Sequence, residues 1–408
     1  MKRSSIVLAL TATVSGYSAA AIANSTFDNT LTQDWAGART HLAESGVTVN
    51  AEYTNVYQAP LSTTPLDQSN TSHRFDLFTQ FDFEALGLWQ GGKLNTQVIA
   101  SSGKANDFGL VQISSPNSTL FAHDDSVMVT SFNYSHQIGA ATQLMVGKFD
   151  AIEMMRPATF YGGGTRHGFM NLAFTAPPSG VVPPSFVGVI ANHRVGNTLW
   201  SAMVFDPRDR YTESLNAEGL FDDGVSASLG FAHFTQLFDR QTLLSVNYAY
   251  STEKGADFSS LTPDMGFDAT AQYKYNARFQ LSHNLVEREG NPAESWGLHL
   301  RGSLADGNPN IFNATFAGGL GGKALFFDRP MDTWGLGYYY YDLSDDLQNS
   351  INALPLPFEL RNEQGFEAYY AYEPLPWLTV TADVQYVTSA LDTQDKAWLA
   401  GIRTNIRF

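Results

Sequence analysis

The residues of this chain that could do chemistry recur at two-residue spacing. Glu52, Asp76, Asp82, Glu84, Lys274, Arg278, His299, Arg301, Glu367, Asp383 and Arg403 stand mostly between apolar neighbours, and both charge signs are mixed among them. No local spacing sets a nucleophile beside its base, and a Ser/His pair would meet only in space. The nine His residues are scattered, with no pair one helical turn apart, so no metal ligand set is assigned. Cysteine is absent, which excludes thiolate ligands, cysteine nucleophiles and a disulfide scaffold. The run Gly318-Gly319-Leu320-Gly321-Gly322-Lys323 has a phosphate-loop look. Ala317 stands where that loop needs Gly, however, and Ala324 where it needs Ser or Thr, so the glycines read as a turn. No catalytic residue and no cofactor are expected, and the chain does not read as an enzyme. Hydrogen-bonding groups of both signs beside aromatic faces suit a neutral polyol, whereas rings of one charge would select ions.

Such residues need elements that aim every second side chain the same way. From Val47, the residues Val47, Val49, Ala51 and Tyr53 alternate with Thr48, Asn50, Glu52 and Thr54. Phe75, Leu77, Phe81 and Phe83 oppose Asp76, Gln80, Asp82 and Glu84, and Tyr273 to Leu281 oppose Gln272 to Gln280 in the same way. Near the end, Val380, Ala382 and Val384 alternate with Thr379, Thr381, Asp383 and Gln385. Period two marks strands with one apolar and one polar face. Runs near ten residues exceed the strands of a soluble sandwich, about 5–6 residues, and fit a membrane-spanning barrel with a wet interior.

About sixteen strands are expected, beginning near Val47, Phe75, Leu94, Val127, Gln143, Phe186, Leu199, Val225, Leu243, Ala271, Trp296, Ile311, Asp332, Gly365, Leu378 and Trp398. Gaps after even-numbered strands are short and those after odd-numbered ones long, the asymmetry of outer-membrane barrels with both termini at the periplasm. Gly318–Met331 is the exception, too long for its place. The fold class is therefore all-β: a transmembrane antiparallel barrel over 47–408, preceded by a short periplasmic helical segment within 24–46. In that segment Trp35, Ala38 and Leu42 share a face and Gly46 is the stop.

Composition and the chain ends agree with that class. The chain has 408 residues, 13% of them aromatic, with 24 Lys and Arg against 40 Asp and Glu. A formal net charge of −16, with no basic cluster, argues against nucleic acid. Lys2 and Arg3, an apolar run from Ile6 to Val14 and Ala21-Ile22-Ala23 read as a signal peptide over 1–23, cleaved near Ala23. The terminal strand ends on Phe408, where similar aromatic ends in outer-membrane proteins serve as assembly signals. Outer-membrane lipids and that assembly machinery are thus expected partners, in the outer membrane of a Gram-negative cell. Whether the barrel works alone or as a homo-oligomer stays open.

One gap is long enough to be functional itself. Residues 151–184 carry Arg156, Tyr161, three successive glycines, Arg166 and His167. The segment is expected either to fold inward and narrow the pore or to lie over the rim.

The stretch Phe81-Asp82-Phe83-Glu84-Ala85-Leu86-Gly87-Leu88-Trp89-Gln90-Gly91-Gly92 resembles the second strand and turn of OprB-type carbohydrate-selective porins. Val146-Gly147-Lys148-Phe149, Phe169-Met170-Asn171 running to Pro177, and Arg329-Pro330-Met331-Asp332 with Gly335 and Gly337 match further along. So does Glu367-Ala368-Tyr369-Tyr370 through Gln385-Tyr386 to Gly401-Ile402-Arg403 and Phe408. Val387-Thr388-Ser389-Ala390 departs from the Pro-Gly pair often found after that Gln-Tyr. The resemblance implies a 16-stranded barrel through which mono- and oligosaccharides diffuse passively. The alternatives are a general or cation-selective porin on the same barrel, and a surface adhesin or structural barrel with a closed lumen.

Overall fold

In a computed structural model, residues 27–120, 126–176, 178–271, 273–394 and 396–408 are described. The expected signal peptide lies outside them. Sixteen antiparallel strands close into one barrel. They are β1 (Val47–Pro60), β2 (Asn70–Asp82), β3 (Gly92–Gly103), β4 (Ser126–Ile138), β5 (Thr142–Asp150) and β6 (Ser185–Val195). There follow β7 (Thr198–Phe205), β8 (Ser226–Leu237), β9 (Arg240–Ser251), β10 (Lys274–Arg288) and β11 (Asn291–Ala305). The circuit ends with β12 (Phe312–Ala324), β13 (Arg329–Leu343), β14 (Glu363–Leu375), β15 (Leu378–Val387) and β16 (Ala397–Arg407). Each pairs with its sequence neighbour, and β1 closes on β16 from Glu52↔Arg407 to Pro60↔Leu399.

The burial is that of a soluble protein turned inside out. Thr54, Gln58, Ser72 and Gln385 are fully buried, whereas Val127, Leu229, Val246 and Ile402 stand exposed on the outer wall. Lipid requires this, because hydrocarbon accepts apolar side chains and closure leaves no unpaired strand edge. Outward rings gather at both rims: Phe83, Trp89 and Tyr134 at the end carrying the short turns, Tyr386 and Trp398 at the other. Two such belts are where amphipathic rings meet the headgroups.

Gly318 to Gly322 do not form the expected turn but lie within β12, paired with β11 and β13. The connection after β12 is the short 3-10 turn Leu325–Phe327 with Asp328, so the long-gap exception disappears. Of these glycines, Gly321 thins the wall where an inward loop lies against it. A Cβ on Gly321 would stand 3.0 Å from the Phe160 ring.

Before β1, a 3-10 turn (Trp35–Gly37) leads into helix α1 (Ala38–Glu44). Its buried residue is Arg39; Trp35 and Leu42, expected on the packing face, stay exposed. Arg39 donates to the Val49 carbonyl at 2.9 Å and to Thr30 Oγ1 at 2.9 Å, and its guanidinium lies 4.2 Å over the Phe27 ring. A cation held by these groups, rather than an apolar stripe, fixes the segment to the end of the barrel that carries both termini.

Candidate functional site

The segment 151–184 folds into the lumen. Helix α2 (Ala151–Met154) starts it, capped by Asp150, whose carboxylate accepts the N–H groups of Ile152 and Glu153 at 3.0 Å. The chain then crosses to the wall formed by β1 and β2. There Arg166, with no exposed surface, reaches three carboxylates: Glu52 at 2.9 Å, Glu153 at 2.8 Å and Asp76 at 3.3 Å. Arg156 also pairs with Glu52 and stands 3.3 Å from Glu153. Arg74 holds Asp76 from below at 2.8 Å and donates to Thr165 Oγ1 at 2.7 Å. Three guanidinium groups thus meet three carboxylates. Buried charge is tolerable only in such a complete set, since removing one member strands its partners.

A second anchor holds the far part of the segment. Glu367 on β14 accepts the consecutive N–H groups of Met170 and Asn171. Arg403 on β16 donates to the carbonyls of Gly168 and Phe169. Helix α3 (Leu172–Thr175) follows, capped by Asn171. Phe169 and Phe174 stack at 4.2 Å and lie against Gly335 and Gly337, where a Cβ would come within 2.6 Å and 2.5 Å of these rings. Phe160 stacks on His299 at 4.8 Å, and the Tyr161 hydroxyl donates to the Ala317 carbonyl at 2.8 Å.

Segment 104–120 also turns inward. Glu363, one helical-turn length before Glu367 in sequence, accepts the N–H groups of Ile113 and Ser114. The two inward segments bond to each other, Leu172 N–H to the Ser115 carbonyl and Ser118 N–H to that of Met170. Together they fill the half of the barrel bearing β1–β3 and β14–β16. What stays open is a cavity of 1880 Å³ between segment 151–184 and the inner faces of β7 to β11. Asn247, Arg278, Gln280, Ser282 and Arg301 line its wall. Among the described residues no cluster of His, Asp and Glu is placed to hold a metal.

Residues 67–408 match the family described as "Carbohydrate-selective porin, OprB family". This chain belongs to that family. Porin B of Pseudomonas aeruginosa is 28% identical over 168 residues, 38% of this chain and 35% of that protein. The aligned stretch therefore spans about a third of that curated relative. The high-pH structure of Pseudomonas putida OprB shares the fold, with a TM-score of 0.80 at 20% identity, covering 93% of this chain and 98% of the other. The low-pH structure of Pseudomonas putida OprB gives 0.60 at 16% identity over the same shares.

This OprB-family barrel brings the expected site residues together in three groups. Glu52, Asp76, Arg156 and Arg166 form the charged knot. Glu367, Asp383 and Arg403 lie together on the wall beneath segment 168–171, with Asp383 accepting from Gln385 at 2.9 Å. Lys274, Arg278, His299 and Arg301 stand on β10 and β11 facing the cavity. Asp82 and Glu84 are not brought to any of them. Asp82 ends β2, pairs with Lys93 at 3.2 Å and accepts the Glu84 N–H at 3.1 Å, and Glu84 is exposed in the turn that follows. Alternation places a residue on a face but does not say where the strand stops.

Arg74, Glu153, Glu363, Asn247 and Gln280 were missed. Arg74 and Glu363 were within reach, being two and four residues from Asp76 and Glu367 on the same inward faces. Asn247 and Gln280 matter through cross-strand register, Asn247↔Arg278 and Gln280↔Arg301, which a sequence alone does not give.

Proposed function

We propose that the chain is a passive diffusion pore for mono- and oligosaccharides in the outer membrane, the passage running between segment 151–184 and the β7–β11 wall. The observation that carries this reading is the doubly anchored inward segment. It turns a barrel wide enough for general diffusion into a passage one wall of which carries the amide and guanidinium side chains of Asn247, Gln280, Arg278 and Arg301. Family and fold point to a channel rather than an enzyme. Residues 1–23 are then the export signal removed near Ala23, 24–46 the periplasmic segment and 47–408 the barrel, with Phe408 presented to the assembly machinery and the outer belts to lipid.

Liposome swelling with the purified protein tests the reading. Glucose and a disaccharide should swell vesicles faster than amino acids of similar size. Equal rates for all solutes would reduce the chain to a general porin, and no swelling would leave a closed barrel.

A further inference from the structure

Besides Arg403, which is spent on the Gly168 and Phe169 carbonyls, two sets of arginines face this lumen. Arg74, Arg156 and Arg166 are each paired with carboxylates. Arg278 and Arg301, on the opposite wall, make no ion pair among the described residues. Arg278 Nη2 donates only to Asn247 Oδ1, at 3.1 Å, and its buried Nε has no partner. Arg301 donates through Nε and Nη2 to one oxygen, Gln280 Oε1, at 3.2 and 2.7 Å, and its guanidinium lies 4.0 Å over the Tyr161 ring.

The two side chains belong together. Gln280 sits opposite Arg301 and Arg278 opposite Ser303, so Arg278 and Arg301 are diagonal neighbours on one inner face. The amide oxygens orient both guanidinium groups and leave their remaining N–H groups without acceptors among the described residues. Like charges held this close, with no carboxylate to balance them, are costly unless a mobile anion visits. The whole cavity has the same bias. Arg194, Lys274, Arg278 and Arg301 line it against only Asp209 and Glu253, and Glu253 is taken by Lys274 at 2.6 Å. The local field is positive although the chain carries a net charge of −16.

Hydrogen-bond direction decides the ligand. A neutral sugar offers hydroxyls that must both donate and accept. At this point the acceptors Asn247 Oδ1 and Gln280 Oε1 already serve the arginines, so the wall presents donors in excess. A group that only accepts fits better, and planar forked donors suit a carboxylate or phosphate. We propose that Arg278 and Arg301 form an anion-binding step in the passage, which makes the pore prefer acidic carbohydrates, polyols bearing a carboxylate or phosphate, over neutral ones. This rests on the reading of the cavity as the conduction path.

The test is vesicle swelling with the full chain in glucose, potassium glucuronate and potassium glucose 6-phosphate, valinomycin carrying the potassium. Glucuronate should enter roughly tenfold faster than glucose, the scale on which a focused local field raises entry rates. Arg278→Gln and Arg301→Gln should each cut that ratio, and the doubly substituted Arg278→Lys, Arg301→Lys protein should retain part of it because the charge stays. Heat-modifiable gel mobility reports whether each variant folds. Fast entry of both anions supports a general anion step, and of glucuronate alone a carboxylate step. Glucose entering as fast as both anions overturns the inference and leaves the sugar pore intact, as does a ratio unmoved in every folded variant. No entry of any solute overturns both.

Discussion

Glu363 and Glu367, four residues apart on the inner face of β14, perform the same task for two different loops. Each spreads its two oxygens over consecutive backbone N–H groups, Ile113 and Ser114 for the first, Met170 and Asn171 for the second. Both loops hang from one strand. Backbone N–H groups turned into a lumen need acceptors, and a carboxylate supplies two where a neutral side chain supplies one.

Glu367→Ala should therefore release segment 168–171 and leave its N–H groups to water. The expected cost is about 1–3 kcal/mol of local anchoring. In planar bilayers the single-channel conductance should rise and become noisier while the barrel keeps its heat-resistant mobility. Glu363→Ala should do the same through segment 104–120, and an unchanged conductance in both would deny the loops any part in narrowing the pore.

Arg166→Met reaches deeper. It removes the cation shared by Glu52, Asp76 and Glu153, which Arg74 and Arg156 cannot fully neutralise, and breaking a buried charged set costs about 3–5 kcal/mol. The melting temperature should fall, and the reversal potential in a salt gradient should move toward cations because uncompensated acids then line the lumen. A shift toward anions would contradict the charge assignment.

What could be read from residues alone divides along a physical line. The sixteen strands lie close to their expected starts, the poorly alternating segments near Val127 and Ile311 included, because lipid outside and water inside impose a period of two on most of the wall. The fold follows from solvent, and solvent preference is written locally. The knot around Arg166 is not, since Glu52, Asp76, Glu153 and Arg166 are brought together only by an inward loop whose direction nothing in its own composition specifies. Gly318 to Gly322 mislead for the same reason. Glycine signals a turn when judged by its neighbours in sequence, but Gly321 leaves room for Phe160, more than 150 residues away, and Gly318, Gly319 and Gly322 for the backbones of the adjoining strands.

The segment 206–225, at the barrel end opposite the chain termini, has a pH limit of its own. Burial pushes the Asp206 carboxyl up, but bonds from Arg208, from the Phe221 and Arg208 N–H groups and from Arg210 outweigh it and hold it down at about 2. An unfolded aspartate titrates at about 3.9. The folded value is the lower one, so the stabilisation is complete above that and is lost as the pH falls toward 2. Hydrogen exchange of the Phe221 amide, corrected for intrinsic rate, should show constant protection from pH 8 to 5 and progressive loss below about 4. Asp206→Asn should lose protection throughout the range.

The glycines of β13 offer the cleanest test that the loop needs its wall thinned. Gly337 faces Phe174 so closely that a Cβ would stand 2.5 Å from the ring, with Phe169 next to it at 3.1 Å. Gly337→Val asks the loop to move rather than the strand, because the strand is held by hydrogen bonds on both sides and the loop by a few side chains. Overpacking of this kind costs about 1–3 kcal/mol. The barrel should still form, with Phe169 and Phe174 displaced and conductance raised toward that of a protein in which 156–176 is replaced by a short Gly-Ser linker. If Gly337→Val conducts like the unaltered chain while the deletion conducts more, the rings have found another seat and β13 does not dictate the loop's position. If the deletion itself leaves conductance unchanged, the segment does not narrow the pore at all.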